Sequence, residues 1–179
     1  MKLIRITHSS DTLLKDVIAL YESAFPENER TTNEQFLKMI DRCPQMSFYA
    51  VSEQGELDGM AVIWDLEICR YLLYLAVKEE KRNSGLGTKT LQQLLRQSSL
   101  PVIGEVEYPS PTNPMAARRI GFYQRNGFHI ESDNPEILNS SHHYSTCQLM
   151  LIASQPLQDI DECQRRVVDV VYKNMHAEI

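Results

Sequence analysis

Long apolar runs are missing from this sequence, and so are the close spacings that mark metal and disulfide frameworks. No stretch approaches the roughly 18 consecutive apolar residues of a membrane-span candidate. The opening Met1-Lys2-Leu3-Ile4-Arg5-Ile6-Thr7-His8 lacks the apolar core of a signal peptide. Cys43, Cys69, Cys147 and Cys163 are scattered, with no C-x-x-C pair and no His/Cys cluster at ligand spacing. They read as reduced thiols filling the core of a cytoplasmic protein, and no metal site is expected. His142 and His143, in a polar loop, read as surface histidines. Positive charge is also short: 18 Lys and Arg against 24 Asp and Glu leave a net charge of −6. That balance argues against a nucleic-acid partner and suits a cationic amine, whose local concentration a negative cleft raises. With no repeat, low-complexity tract or linker, residues 1–179 are expected to form one domain with a sizeable core.

Two phosphate-binding fingerprints are absent as well. G-x-x-x-x-G-K-[ST] fails because Thr88 follows Gly87 and no glycine lies at the upstream position. G-x-G-x-x-G fails after Gly85-Leu86-Gly87 for want of its third glycine. What is present is a junction. Tyr71 to Val77 is short, apolar and rich in strand formers, as in a strand covered on both faces. Charged residues Lys78 to Arg82 end it. Arg82-Asn83-Ser84-Gly85-Leu86-Gly87 then opens a helix with Leu91, Leu94 and Leu95 on one face. A helix start offers unpaired N–H groups and partial positive charge, and glycines allow close approach. With Thr88, Arg82 and Lys89 beside it, the junction suits a phosphate or pyrophosphate; the alternative is a tight turn with no ligand.

The rest of the chain supplies a frame. Leu3 to Thr7 reads as a strand. Leu13, Leu14, Val17, Ile18 and Tyr21 mark a helix stopped by Pro26, and residues 27–30 read as a solvated linker. A second helix starts near Thr32 and Asn33 and ends before Pro44. Strands are expected over Ser47 to Ser52 and Met60 to Ile68, with Gln54 to Gly59 as the turn. Val102 to Tyr108 follows as a strand parallel to the Tyr71 strand. Asn113 caps a helix with Pro114 at its first position, and Gly127 ends it. Phe128 to Glu131 and Tyr144 to Ala153 form a closing hairpin. Gln155 to Met175 is a final amphipathic helix, with Leu157, Ile160, Val167, Val168 and Val171 inward; it serves either a homodimer or the core.

Arg82-x-x-Gly85-x-Gly87 after a strand ending in Val77 resembles the signature of the GNAT acetyltransferase superfamily. Phe122-Tyr123-Gln124-Arg125-Asn126-Gly127-Phe128, one helix and one strand later, resembles its second motif. The resemblance covers about the central third of the chain. It implies a mixed, mostly antiparallel central sheet flanked by helices (an α/β, or α+β, class), with a splayed parallel strand pair at the site of acetyl-CoA. Leu75, Ala76 and Val77 would then bind pantetheine and the thioester through main-chain groups. Arg82, Asn83, Gly85, Gly87 and Thr88 would bind pyrophosphate. The implied activity is transfer of an acetyl group to an amine, directly in a ternary complex, since no cysteine stands at a motif position. A CoA-binding or regulatory protein with little catalysis, and an acyltransferase using a longer acyl-CoA, are the alternatives.

Chemistry then selects catalytic candidates. Expulsion of a thiolate calls for a general acid, and Tyr123 shares a helix face with Ala116 and Ile120 that turns toward the sheet. A buried tyrosine satisfied by a hydrogen bond would be the structural alternative. The family often carries an Asn seven positions before this tyrosine; here Ala116 stands there. An attacking amine must also lose a proton. Glu105 and Glu107, two apart on one strand, face the same side and are the candidate bases, with cation binding or a solvated face as alternatives.

Overall fold

The computed structural model describes residues 1–53, 55–111, 113–132 and 149–176. Its strands are β1 Lys2–Ile6, β2 Met46–Glu53, β3 Glu56–Asp65, β4 Arg70–Val77, β5 Val102–Glu107, β6 His129–Ser132 and β7 Leu149–Ala153. They form a seven-stranded sheet in the order β1-β2-β3-β4-β5-β7-β6, antiparallel throughout except for β4 and β5. The mixed sheet with one parallel pair is therefore as the sequence implies. Period-two alternation sorts its side chains onto two faces. Met60, Val62 and Trp64 of β3 join one hydrophobic cluster, and Ala61 and Ile63 join the other.

The first cluster is covered by α1 (Leu14–Ala24), α2 (Asn33–Arg42) and the C-terminal helix, the second by α3 (Leu86–Leu95) and α4 (Pro114–Arg125). Thr32 caps α2 by accepting from the Gln35 amide at 3.2 Å. Asn113 caps α4 by accepting from Ala116 N–H at 3.2 Å. Gly127, at φ +89°, terminates α4 in the left-handed conformation expected of it.

Three boundaries differ from the sequence reading. The turn expected over residues 54–59 is shorter: β2 and β3 pair as far as Glu53↔Glu56, and Leu57, Asp58 and Gly59 are strand residues. The following strand ends at Asp65, not Ile68, because Leu66 N–H bonds back to the Cys69 carbonyl at 2.9 Å and Glu67 takes φ +70°. The last helix starts at Ile160 rather than Gln155, where the Asp159 carboxylate accepts from Glu162 N–H at 2.9 Å. This helix, α5, runs as Ile160–Arg166, continues with π geometry over Val167–Tyr172 and finishes as Lys173–Met175. It covers the core: Thr31 Oγ1 donates to the Met175 carbonyl at 2.7 Å and Gln35 Nε2 to the Asn174 carbonyl at 2.6 Å. Cys43, Cys69 and Cys163 are buried free thiols, and burial pushes all three well away from thiolate formation. Cys147, His142, His143 and the expected start of the last strand at Tyr144 lie outside the described residues.

One irregularity matters for the site. Val62 pairs with Tyr74 but Ile63 with Leu72, so Leu73 is an extra residue in β4. Leu73 and Tyr74 consequently both face the first cluster, whereas Leu72 and Leu75 face the second. Such a bulge bends the strand and increases its twist. It falls just where β4 leaves β5, since their parallel pairing consists of Arg70↔Val102 and Tyr71↔Ile103. Beyond Tyr71 the two strands diverge.

Candidate active site

At the C-terminal end of β4 the chain passes through a 3-10 turn, Glu79–Lys81, into α3. Asn83 at φ +63° and Gly85 at φ +83° make two left-handed steps. Asn is among the few side chains that tolerate this region, and glycine adopts it without strain. Ser84 Oγ donates to the Lys81 carbonyl at 2.7 Å and accepts from Leu86 N–H at 3.4 Å. The helical ladder begins with Lys89 N–H to the Gly85 carbonyl at 3.0 Å, so the Gly87 and Thr88 amides precede it. Arg82, Asn83, Gly85 and Thr88 are exposed around these amides. The two glycines differ in what they supply. A Cβ on Gly85 would meet open space, whereas one on Gly87 would lie 3.5 Å from the Phe122 ring and 3.7 Å from Val77 Cγ2. Gly87 thus lies where α3 meets α4 and β4, bringing the two sequence motifs together, and a Cβ there would make only ordinary van der Waals contact.

The turn is tied to the sheet by Asp58, whose carboxylate accepts from Glu53 N–H at 2.6 Å and pairs with Lys81 Nζ at 3.2 Å. Burial pushes its pKa up, but the amide bond and the Lys81 ammonium outweigh that and hold it below the usual carboxylate value. Its stabilising contribution is therefore complete above the unfolded value of about 3.9 and is lost as pH falls through the lower folded value. Asp58→Asn is expected to cost about 1–3 kcal/mol at pH 7, with the difference from wild type vanishing in acid. Chemical denaturation at pH 7 and below pH 3 checks this.

The β5-facing edge of β4 from Leu72 to Val77, including Leu75, Ala76 and Val77, has no strand partner among the described residues. A ligand with amide groups can pair with such an edge as an added strand. The divergence also opens the sheet to approach from both faces. On the face of α3 and α4 stands Tyr123, half-buried, with its ring centroid 5.2 Å from Phe122 and 5.3 Å from Phe128. Leu75 packs on the same cluster. The Tyr123 hydroxyl has no hydrogen-bond partner among the described residues and is not sealed from solvent. Burial pushes its pKa up to about 12.

On the opposite face are the carboxylates. Glu105 accepts, at one oxygen, from the Tyr71 hydroxyl at 2.9 Å and from the Tyr172 hydroxyl. Glu107 accepts from Asn113 Nδ2 at 2.8 Å and pairs with Arg119 Nη1 at 3.3 Å. The two candidate bases are thus held differently: Glu107 pairs with a cation from α4, and Glu105 accepts from two phenols. Asn113 serves as helix cap and Glu107 partner, and Ala116 is fully buried.

Two features escaped the sequence reading. The connection expected to be a solvated linker is a 3-10 turn, Glu27–Glu29, anchored by the Tyr74 hydroxyl to the Glu29 carbonyl at 2.8 Å. Tyr21, stacked on Phe36, places its hydroxyl 3.3 Å from that of Tyr74. Partial desolvation and the negative charge of Glu107 push the Glu29 carboxyl above its ordinary value, with Arg119 opposing. Glu29 therefore belongs to the carboxylate side of the site. Tyr172 was missed because it follows Val171, the last residue of the apolar stripe read from the sequence; it is buried, on a π stretch. A shallow pocket of about 240 Å³ between β1 and α2, lined by Arg5, Ile40, Asp41 and Met46, lies at the far edge of the sheet and has none of this chemistry.

Comparison with known proteins agrees with the geometry. Residues 44–130 match the family model described as an acetyltransferase (GNAT) domain. A GNAT-family protein from Bacteroides thetaiotaomicron assigned as an acetyltransferase is 26% identical, superposes with a TM-score of 0.82, and aligns over 96% of this chain and 98% of its own. A GNAT family acetyltransferase from Elizabethkingia anophelis with acetyl-CoA bound is 15% identical at TM-score 0.60, over 86% and 97% of the two chains. The ribosomal-protein-S18-alanine N-acetyltransferase from Escherichia coli is 14% identical at TM-score 0.58, over 89% and 99%. At those last two identities the likeness is one of fold. No curated protein sequence matches the chain.

Proposed function

We propose that this chain, whose residues 44–130 match the acetyltransferase (GNAT) domain model, moves an acetyl group from acetyl-CoA to an amine by direct transfer in a ternary complex. The observation that carries the reading is the split between β4 and β5 after Tyr71↔Ile103, with Tyr123 on one face of the sheet and Glu105 on the other. The pyrophosphate lies on the α3 N-terminus against the Gly87 and Thr88 amides, with Arg82 and Asn83 beside it. The pantetheine arm pairs with the open edge of β4 at Leu75, Ala76 and Val77. The thioester then sits in the split.

The amine nitrogen attacks the thioester carbonyl carbon from the carboxylate side. A C–N bond forms, and the C–S bond breaks as the tetrahedral centre collapses. Glu105 takes the proton that the nitrogen must lose, directly or through a water. Tyr123 gives its proton to the departing sulfur; with a pKa near 12 the phenol holds that proton at physiological pH. Glu107, paired with Arg119 and Asn113, is the second candidate for base. Glu105 and Glu29 give the acceptor side carboxylate character, which supports a cationic amine.

The test is a panel of amines with acetyl-CoA, following thiol release with a thiol-reactive dye and product by mass. Stoichiometric thiol and acetylated amine are expected. Binding of acetyl-CoA with no turnover on any amine would point instead to a CoA-binding protein with little catalysis, and faster transfer from a longer acyl-CoA would reassign the donor. Glu105→Gln is expected to lower kcat ~100-fold while leaving acetyl-CoA affinity within about twofold, since general-base contributions are commonly 10²–10⁴.

A further inference from the structure

The Tyr172 hydroxyl reaches Glu105 from the last helix of the chain, across the sheet face from β5. Tyr71 reaches the same carboxylate oxygen from β4, and the two phenol oxygens are 3.2 Å apart. Three elements distant in sequence thus converge on one carboxylate. Both rings are buried, at 3% and 7% exposure, and meet edge to face at 6.4 Å. Burial, reinforced by the Glu105 negative charge, pushes both phenols well above the usual tyrosine value, so both remain donors.

The backbone of α5 departs from α geometry where this contact is made. Val167 and Tyr172 are five apart, the i to i+5 spacing of a π turn, and the π stretch spans Val167–Tyr172. Short π segments are uncommon and often lie at functional sites. An uninterrupted α-helix would set Tyr172 about 100° round from Val171, at the margin of the buried stripe. With the π stretch, Val171, Tyr172 and Met175 are all buried. The end of the helix is fixed by the Thr31 and Gln35 bonds to its last carbonyls, and Asn174 Nδ2 donates to the Val170 carbonyl at 2.6 Å. The helix is therefore seated so that a phenol meets a carboxylate. Removing the hydroxyl alone would leave the ring and its packing in place.

We propose that Tyr172 is a positioning residue for the reaction, its hydroxyl acting with that of Tyr71 to hold the Glu105 carboxylate in the orientation from which it takes the acceptor's proton. The inference rests on Glu105 being the base, as set out above. A glutamate on a strand has several rotamers, and reaction rates fall steeply when a reacting group is displaced by even 1 Å. Two donors on one oxygen, from opposite elements, fix the plane of the carboxylate. Neither phenol needs to touch acetyl-CoA or the amine.

A double-mutant cycle on turnover tests it, with Tyr172→Phe, Glu105→Gln and the pair measured against an accepted amine. Tyr172→Phe is expected to lower kcat ~10-fold or more with KM for acetyl-CoA unchanged. Adding it to Glu105→Gln is expected to cause no further loss, because residues acting through one another are non-additive. Unchanged kcat in Tyr172→Phe, or losses that multiply in the double variant, would overturn the proposal and leave the acetyltransferase reading standing. Should Tyr172→Phe fail to fold, Tyr71→Phe, which removes the other donor to the same oxygen, enters the same cycle with the same two outcomes. A wild-type protein that acetylates no amine would instead overturn the functional reading, and this inference with it.

Discussion

Gly85→Asp is expected to raise the dissociation constant for CoA ~100-fold, a loss of about 2.7 kcal/mol. Two effects act together. Gly85 sits at φ +83°, where an L side chain is strained by about 1–2 kcal/mol. Asp is one of the better residues there, so charge dominates: a carboxylate at the N-cap of α3 would stand beside the proposed pyrophosphate site. Gly85→Ala separates the two contributions. Its Cβ meets nothing within 4 Å, so it adds backbone strain without a clash or a charge. A loss of only a few-fold is expected for Ala, and calorimetric titration of both variants checks the ranking. Equal losses would mean that the left-handed conformation, rather than anion binding, is what the glycine provides.

Tyr123→Phe is expected to lower kcat ~100-fold or more while CoA affinity and folding stability stay near wild type. The variant is unusually clean. The Tyr123 hydroxyl has no hydrogen-bond partner among the described residues, so its removal orphans nothing, and Phe keeps the ring contacts with Phe122 and Phe128. A change of stability beyond about 0.5 kcal/mol is not expected. The direction of its pKa adds a second check. The acid form is lost only as pH rises through about 12, so an alkaline fall in rate between pH 8 and 10 would have to come from another group. Full activity in Tyr123→Phe would remove the phenol as acid and leave its ring as packing.

Much of this was legible because it is local. The strand-to-helix junction at Gly85, the Asn113 cap, the left-handed Gly127 stop and the parallel order of β4 and β5 each follow from a few neighbouring residues or from the right-handed crossover rule. The Leu73 bulge was not legible, because Tyr71 to Val77 is apolar at every position and periodicity has nothing to report there. The same limit hid the division between Glu105 and Glu107. Strand parity put both on one face, but what distinguishes them comes from Arg119 on α4 and Tyr172 on α5, far away in sequence. The Pro-Glu-Asn-Glu-Arg run reads as a solvated connection, although the resemblance sets residues 27–30 where the family often contacts its substrate; its anchor, Tyr74, lies on a strand whose sequence reads as core and cofactor edge. Tyr172 lies just past the apolar stripe of the last helix, and its partner Glu105 is far away in sequence.

The most direct measurement is the unfolding midpoint of the wild-type protein across a titration with acetyl-CoA. A ligand held only by the folded state stabilises it by RT ln(1 + [L]/Kd), or about 2.7 kcal/mol at a hundredfold excess over Kd. For a chain of this size that corresponds to a rise of roughly 5–11 °C. A rise of that order, growing with the logarithm of acetyl-CoA concentration, is expected in wild type and should be much smaller in Gly85→Asp at the same concentrations. A folded wild-type protein whose midpoint does not move at millimolar acetyl-CoA would contradict the placement of the donor on the α3 N-terminus and in the split between β4 and β5.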